Sequence, residues 1–113
     1  MTIPGAAHAF VDPRKVREYL LSPEHPEGGD KARAFAALGY SPYDWRLFTK
    51  QLGSLARPGI VQANGGNRFG QKYIIDGILL SPAGREFGIR TIWIVRNGEH
   101  FLRLVTAYPR RQP

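Results

Sequence analysis

The fold is decided by residues 85–108, which read REFGIRTIWIVRNGEHFLRLVTAY. Two runs rich in β-branched and aromatic residues, Arg85–Arg96 and Phe101–Tyr108, flank the dipeptide Asn97-Gly98. Asn-Gly between such runs is the strongest short-range signal for a β-hairpin, because both residues tolerate the positive φ angles of a type I′ turn. The stretch therefore predicts two long antiparallel strands.

A two-residue turn also predicts the register of this hairpin. It would pair Arg96 with Glu99 and Thr91 with Leu104. This register places Thr91, Thr106 and Tyr108 on one face, which would meet the helices, and Arg90 and Arg103 on the other. The two sets would share a face only if a β-bulge reversed the alternation, for which Gly77 and Gly88 are candidates.

Two further strands are predicted before the hairpin, Ile60-Val61 and Lys72–Leu80. Asn64–Asn67 is predicted to be a flexible turn or loop, and Ser81–Gly84 turns the chain after the second strand. Together with the hairpin, these segments predict a four-stranded antiparallel meander.

Capping signals predict about three helices in residues 12–53. The first begins at Asp12-Pro13, the second follows Asp30 and closes at Gly39, and the third follows Ser41-Pro42. The fold class is therefore α+β, with N-terminal helices packed on one face of the sheet of residues 58–108. We expect a single domain over residues 1–113, with frayed ends at 1–10 and 110–113.

Positive charge is concentrated in the second half of the chain. Residues 57–113 carry nine Lys and Arg against three Asp and Glu, whereas residues 1–56 carry seven against six. Eight of those nine cations are arginines, whose planar guanidinium matches phosphate oxygens. The bias favours an anionic partner, although a basic surface also serves solubility alone.

Composition excludes several classes of protein. Cysteine is absent, which excludes disulfides, thiolate metal sites and a cysteine nucleophile. His8, His25 and His100 lack the spacing of metal ligands, so neither metal nor cofactor is expected. No apolar run approaches the roughly 20 residues that cross a bilayer, and the N-terminus lacks the features of a signal peptide. We therefore expect no membrane association and a cytoplasmic location.

Two groups of residues carry a resemblance over roughly Phe10–Pro109. The first is YLLSPEHP at 19–26, GGDKAR at 28–33 and LGY at 38–40. The second is FGQKY at 69–73, RTIWIV at 90–95 and RLVTAYP at 103–109. In these segments the chain resembles a small bacterial family, the domain of unknown function numbered six-eight-eight-three. Its layout of helices before an antiparallel sheet is similar to that of the barnase–EndoU–colicin–RelE group of small RNase toxins.

The resemblance implies metal-independent cleavage of RNA, which requires a general base, a general acid and a fixed cation at the phosphate. The candidate catalytic residues are His25, Lys72, Arg90, Thr91, Arg103, Thr106 and Tyr108, and the candidate substrate-binding residues are Lys31 and Arg96. His25 is the acid–base candidate because imidazole titrates near neutrality. The alternatives are an exposed loop histidine, solvated strand cations, and Thr and Tyr side chains that complete the core.

These observations predict an endoribonuclease of bacterial toxin type that cleaves RNA, tRNA or mRNA, by attack of the ribose 2′-hydroxyl. An acidic antitoxin or immunity protein would then be its partner. Two alternatives stay open. The chain would otherwise be a non-catalytic module that binds RNA or an acidic protein, or the neutralising partner of a toxin.

Overall fold

The computed structural model of the protein describes residues 9–27, 29–56 and 60–110. Helix α1, Pro13–Lys15, continues directly into a π-helical segment, Val16–Leu20. Helix α2 spans Gly29–Leu38, and a 3-10 turn at Pro42–Asp44 leads into α3, Trp45–Leu55. The strands are β1 (Ile60–Asn67), β2 (Gly70–Leu80), β3 (Glu86–Arg96) and β4 (Arg103–Arg110).

The strands form one antiparallel sheet in the order β1-β2-β3-β4. This confirms the prediction of an α+β fold with a four-stranded antiparallel meander. The pairing of β2 with β3 is continuous from Gly70 with Arg96 to Leu80 with Glu86. Neither Gly77 nor Gly88 marks a bulge in that pairing.

Local capping chemistry agrees with the prediction at the start of α1 and the end of α2, whereas Asp30 lies within α2 and α3 continues past residue 53 to Leu55. The Asp12 carboxylate accepts the backbone N–H of Arg14 at 3.0 Å, and Pro13 occupies the first turn. At the end of α2, Gly39 has a φ of 112°, a conformation that favours glycine. Gly39 N donates to Ala36 O and Tyr40 N donates to Phe35 O, which is the Schellman pair of hydrogen bonds.

The predicted packing of the helices on one sheet face holds only in part. Helix α2 lies against β4 and α3 against β2, whereas α1 and the π-helical segment contact mainly the other helices. The core between the layers joins helical and strand side chains: Val16, Leu20, Phe35, Phe48, Leu52, Ile75, Ile89, Trp93, Leu102 and Leu104. Burial of these apolar side chains stabilises the arrangement.

Thr91 is fully buried in this core. Its hydroxyl donates to the carbonyl of Ile75 at 2.7 Å and accepts the indole N–H of Trp93 at 2.6 Å. A buried polar group needs such partners, so Thr91 has a structural explanation and is inaccessible to a substrate. The strand-forming alternative therefore accounts for this residue.

The β3–β4 connection differs from the predicted two-residue turn. Strand β4 begins only at Arg103, which pairs with Ile94, and Trp93 pairs with Leu104. Asn97 does not have a positive φ, whereas Gly98 has a φ of 82°, so the turn is not of type I′. Asn97 is bound elsewhere: its backbone N–H donates to Phe69 O and its side-chain amide to Arg68 O.

A bulge in β4 reverses its alternation. The register shifts at Val105, so that Thr106 pairs with Ile92 and Ala107 with Thr91. Tyr108 consequently lies opposite Arg90 and on the same sheet face, whereas the predicted register placed the two residues on different faces. The predicted separation of Tyr108 from Arg90 is therefore wrong.

The two ends of the described chain contact the sheet. Phe10 N donates to Leu102 O, and Leu104 N donates to Phe10 O, so the chain before α1 lies beside β4. Arg110 is the last residue of β4. The remainder of the predicted frayed ends, 1–8 and 111–113, lies outside the described residues. The predicted turn at 64–67 is instead an irregular part of β1, since the register shifts between Ala63 and Gly66. Among the described residues, no helix has the length and apolar character to cross a membrane.

Candidate active site

Tyr19 is the centre of a polar cluster beside β4. Its phenol oxygen accepts a hydrogen bond of 2.9 Å from the ammonium group of Lys31. The same ammonium lies 5.2 Å from the centroid of the Tyr19 ring. The bond from Lys31 is the main cause that lowers the pKa of Tyr19 from its ordinary value of 10.0, because a cationic donor stabilises the phenolate.

His25 packs against the Tyr19 ring. The two ring centroids are 5.0 Å apart at an interplanar angle of 71°, an edge-to-face contact. His25 Nδ1 accepts the backbone N–H of Glu27 at 3.0 Å. Neutral imidazole therefore carries its proton on Nε2, the nitrogen that the loop backbone does not engage in this bond. The loop thus fixes both the ring and its tautomer.

Thr106 adds a hydroxyl to this cluster. Its interaction with the Tyr19 phenol also lowers the pKa of Tyr19. The Thr106 oxygen is buried, yet it makes no hydrogen bond of regular geometry within the described part of the chain. A buried hydroxyl without such a bond is uncommon in proteins. Thr106 therefore leaves hydrogen-bonding capacity beside the phenol.

Two local features bring these residues together. Leu21 N donates to Val16 O at 2.9 Å, the five-residue spacing of a π-helix, a geometry that occurs often at functional sites. Gly29 N donates to His25 O at 2.9 Å, and a β-carbon on Gly29 would lie 2.8 Å from Pro23 O. Only glycine permits this tight loop before α2, which carries Lys31.

Lys15 joins the Tyr19 cluster to a neighbouring basic cavity. Its ammonium donates to Val105 O at 2.9 Å and lies 5.7 Å from the Tyr19 ring centroid. The cavity has a volume of about 630 Å³. Its lining includes five cations and one carboxylate, namely Lys15, Arg68, Lys72, Arg96, Arg103 and Asp12. This basic cavity is therefore a concave surface of net positive charge.

Arg103 is held in the cavity wall by two kinds of contact. It forms a bidentate ion pair with Glu99, with N–O distances of 2.9 and 2.8 Å, which raises the pKa of Arg103 and lowers that of Glu99. Its guanidinium also lies within cation–π distance of two rings, 5.4 Å from the Phe10 centroid and 4.9 Å from the Phe101 centroid. Arg103 is therefore a fixed cation.

Arg90 lies away from the cavity, on the same sheet face. It forms a bidentate ion pair with Asp76 at 2.8 and 2.9 Å, and Arg110 binds the same carboxylate at 2.6 Å. The hydrogen bond from Arg90 is the main cause that lowers the pKa of Asp76. Tyr108 interacts with Arg90 across the strands. These four residues form a closed ion-pair group that stabilises the sheet.

The structure thus divides the sequence-derived candidates among four places. His25, Lys31 and Thr106 meet around Tyr19, while Lys72, Arg96 and Arg103 line the basic cavity. Arg90 and Tyr108 belong to the Asp76 group, and Thr91 is in the core. Arg90 and Arg103 therefore do not converge on His25 in any contact described above.

Sequence reasoning missed Tyr19, Lys15 and Arg68. The 3.6-residue period of an α-helix places Tyr19 on one face with Val16 and Leu20 and so predicts a packing role for it, and the π-helical turn has no simple sequence signal. The available signal was proximity in a motif, since Tyr19, His25 and Lys31 all fall in the segment that carries the family resemblance. Within the described residues, no three His, Asp or Glu side chains group as a metal site would require.

Comparison with known proteins supports the fold. The family model described as Domain of unknown function (DUF6883) matches residues 2–111. No curated protein matches the chain. A solved chain from the contact-dependent growth inhibition toxin–immunity protein complex of Klebsiella pneumoniae 342 is similar, with a TM-score of 0.71 and 16% identity. The match covers 95% of this chain and 97% of that one, and at this identity it shows a shared fold.

Proposed function

We propose that this chain, which belongs to the DUF6883 family, is a metal-independent endoribonuclease of bacterial toxin type. The observation that carries the proposal is the Tyr19–Lys31–His25 cluster, in which a phenol of lowered pKa contacts both an ammonium and an imidazole. The cluster adjoins a basic cavity, and Lys15 contacts both. Acid–base groups beside cations are the combination that RNA cleavage requires.

The reaction would be transfer of the phosphodiester to the ribose 2′-oxygen. A base removes the 2′-hydroxyl proton, the 2′-oxygen bonds to phosphorus, and the bond to the 5′-oxygen breaks. An acid gives a proton to that 5′-oxygen, leaving a 2′,3′-cyclic phosphate and a free 5′-hydroxyl. Negative charge grows on the phosphorane oxygens meanwhile, and a nearby cation stabilises it.

The cluster supplies a group for each of these tasks. Tyr19 acts as the base, because its lowered pKa increases the fraction of phenolate at a given pH. His25 acts as the acid in its imidazolium form, which requires Nδ1 to give up the bond from the Glu27 N–H and take a proton. Lys31 contacts the non-bridging phosphate oxygens, and the buried Thr106 hydroxyl positions the Tyr19 phenol. This assigns His25, Lys31 and Thr106 to the reaction centre and adds Tyr19 to it.

The cavity cations would hold the RNA backbone on either side of the cleaved bond. Lys72, Arg96 and Arg103 keep the phosphate-binding role expected from the sequence, with Lys15 and Arg68 beside them. A toxin of this type would act on cytoplasmic RNA, such as tRNA or mRNA. An acidic antitoxin or immunity protein would neutralise it by covering the cationic surface.

The test is incubation of purified protein with total RNA in the presence of EDTA. Wild type should give discrete products ending in 2′,3′-cyclic phosphate, and His25→Ala or Tyr19→Phe should lower the rate about a hundredfold. His100→Ala and Tyr43→Phe are the matched controls, because both residues are exposed and remote from the cluster in sequence. Intact RNA with folded wild-type protein would refute the enzyme.

A second candidate role is that of the neutralising partner of a toxin. It is favoured by one observation, that the similar solved chain comes from a complex of a toxin with its immunity protein. Expression in a bacterial host separates the two roles. Growth arrest that His25→Ala abolishes indicates the toxin, whereas protection of the host from a co-expressed toxin indicates the partner.

A further inference from the structure

The basic cavity has aromatic side chains as well as cations. Phe69 is 59% exposed and Phe10 is 41% exposed, and both rings line the cavity. Exposed apolar surface rimmed by polar residues is typical of interaction sites. Their position among phosphate-binding cations is the pattern of single-stranded nucleic acid sites, where backbone phosphates meet cations and bases stack on rings.

The cations of the cavity include several that keep their charge available. Within the described residues, Arg68, Lys72 and Arg96 form no ion pair. Lys72 and Arg103 are both paired across the strands with Ile94, so they flank it on neighbouring strands. Strands two apart in a sheet are separated by about 10 Å. The two side chains can therefore contact different phosphates of one strand, Arg103 through Nη1, which takes no part in its ion pair with Glu99.

Each of the two phenylalanine rings lies close to one guanidinium group. The Arg68 guanidinium lies 5.0 Å from the Phe69 centroid, and Arg103 lies 5.4 Å from that of Phe10. Asn97 holds the turn that carries Arg68 and Phe69 through two hydrogen bonds, one to each carbonyl. The turn that carries the Phe69 ring is therefore attached to the β3–β4 connection.

From this arrangement we infer that the basic cavity binds single-stranded RNA, with unpaired bases stacked on Phe69 and Phe10 and phosphates on Lys72, Arg96 and Arg103. Bases in a duplex already stack on one another and cannot offer a face to a protein ring. A cavity of about 630 Å³ is also within the size range of sites for small ligands, and accepts a few nucleotides rather than a duplex. Single-stranded RNA is thus the substrate class of the proposed endoribonuclease. Binding of the RNA does not depend on that proposed function, whereas its cleavage does.

The binding test uses RNA that cannot be cleaved, so that it is independent of catalysis. A short, labelled 2′-O-methyl oligonucleotide of mixed sequence is titrated with the full chain, alone and annealed to its complement, by fluorescence anisotropy. We expect the single strand to bind on the order of tenfold more tightly than the duplex. Equal or tighter binding of the duplex overturns the inference.

Two sets of variants assign the binding to the cavity. Phe69→Ala should weaken single-strand binding on the order of tenfold while Phe69→Trp retains it, and Tyr43→Ala, which removes a remote exposed ring, should have no effect. Lys72→Gln should reduce the slope of log affinity against log salt by about 0.7, whereas Lys50→Gln on α3 should not. Unchanged affinity in folded Phe69→Ala would contradict a nucleic acid site. So would polyglutamate that displaces the labelled strand as effectively as unlabelled RNA does. Binding without any cleavage would refute only the proposed enzyme.

Discussion

The ammonium of Lys31 and the phenol of Tyr19 form a 2.9 Å hydrogen bond that joins the start of α2 to the π-helical segment. A cation in the first turn of a helix opposes the macrodipole, so this position of Lys31 is unfavourable for the helix itself. The hydrogen bond compensates for this, because it directs the Lys31 ammonium to the phenol oxygen of Tyr19, and it lowers the pKa of that phenol. A locally unfavourable choice with a compensating contact is expected at functional sites.

Replacing Lys31 should therefore move the pKa of Tyr19. In Lys31→Met that pKa rises back toward the ordinary value of 10.0, because the cationic donor is lost. If Tyr19 is the base, kcat/KM increases with pH as Tyr19 loses its proton. In Lys31→Met this increase should shift to higher pH, and the rate at neutral pH should fall on the order of tenfold. Ultraviolet titration of tyrosine ionisation and the pH–rate profile measure the two effects. Lys50→Met, on the exposed face of α3, should change neither.

The two threonines predicted for the site should respond in opposite ways. Thr91→Val leaves the buried indole N–H of Trp93 without its acceptor, which should lower the free energy of unfolding by about 1–3 kcal/mol. Thr106→Val removes a hydroxyl that has no regular partner among the described residues, so stability should hardly change while RNA cleavage declines. Urea denaturation and cleavage rates test both. Loss of stability in Thr106→Val with unchanged specific activity would assign Thr106 to the core.

These threonines also show how far sequence reasoning reaches. Alternation along β3 correctly placed Thr91 on the face that meets the helices, because side-chain direction in a strand follows directly from residue parity. The same rule failed for Thr106 and Tyr108. A bulge at Val105 reverses the parity of β4, and a bulge depends on the partner strand rather than on the local sequence.

Long-range contacts explain the other differences. Asn97-Gly98 indicated a hairpin correctly, yet Asn97 binds the β1–β2 turn through Arg68 and Phe69, so the connection is longer than local propensity indicates. Likewise, Tyr19, His25, Lys31 and Thr106 are separated along the chain, and no periodicity brings them together. Residue types predict the chemistry of the proposed site, whereas only the tertiary structure shows which of these residues lie together.

The Asp76 ion pairs should make stability depend on pH in the acidic range. The pKa of Asp76 is below its ordinary 3.8 in the folded protein, chiefly through the bond from Arg90. A depressed carboxyl pKa contributes stability that is present above about pH 4 and is lost as pH falls through the folded value. Asp76→Asn should therefore lower the free energy of unfolding at neutral pH by about 1 kcal/mol, given solvent screening, and flatten its fall below pH 4. Urea denaturation across pH measures this, with Glu86→Gln on β3 as the exposed control. An unchanged acid slope would mean that Asp76 titrates alike in both states.

Gly77 allows α3 to approach β2. A β-carbon at this position would lie 2.5 Å from Leu55 Cδ2, and Leu55 is buried. Gly77→Ala should therefore lower the free energy of unfolding by about 1–3 kcal/mol, the usual cost of overpacking. Leu55 would have to leave its position for the methyl group to fit.

Gly53 provides the matched comparison, because it lies in α3 and a β-carbon there meets no atom within 4 Å. Gly53→Ala should raise the free energy of unfolding by about 0.5–1 kcal/mol through helix propensity. Both substitutions restrict the unfolded chain in the same way, so the opposite signs would isolate the contact with Leu55. Urea denaturation of the two variants and of Gly77→Ala/Leu55→Ala measures it: in the double variant the added cost of Gly77→Ala should vanish. If that cost persists without the Leu55 side chain, strain within β2, and not the approach of α3, is the reason for glycine at this position.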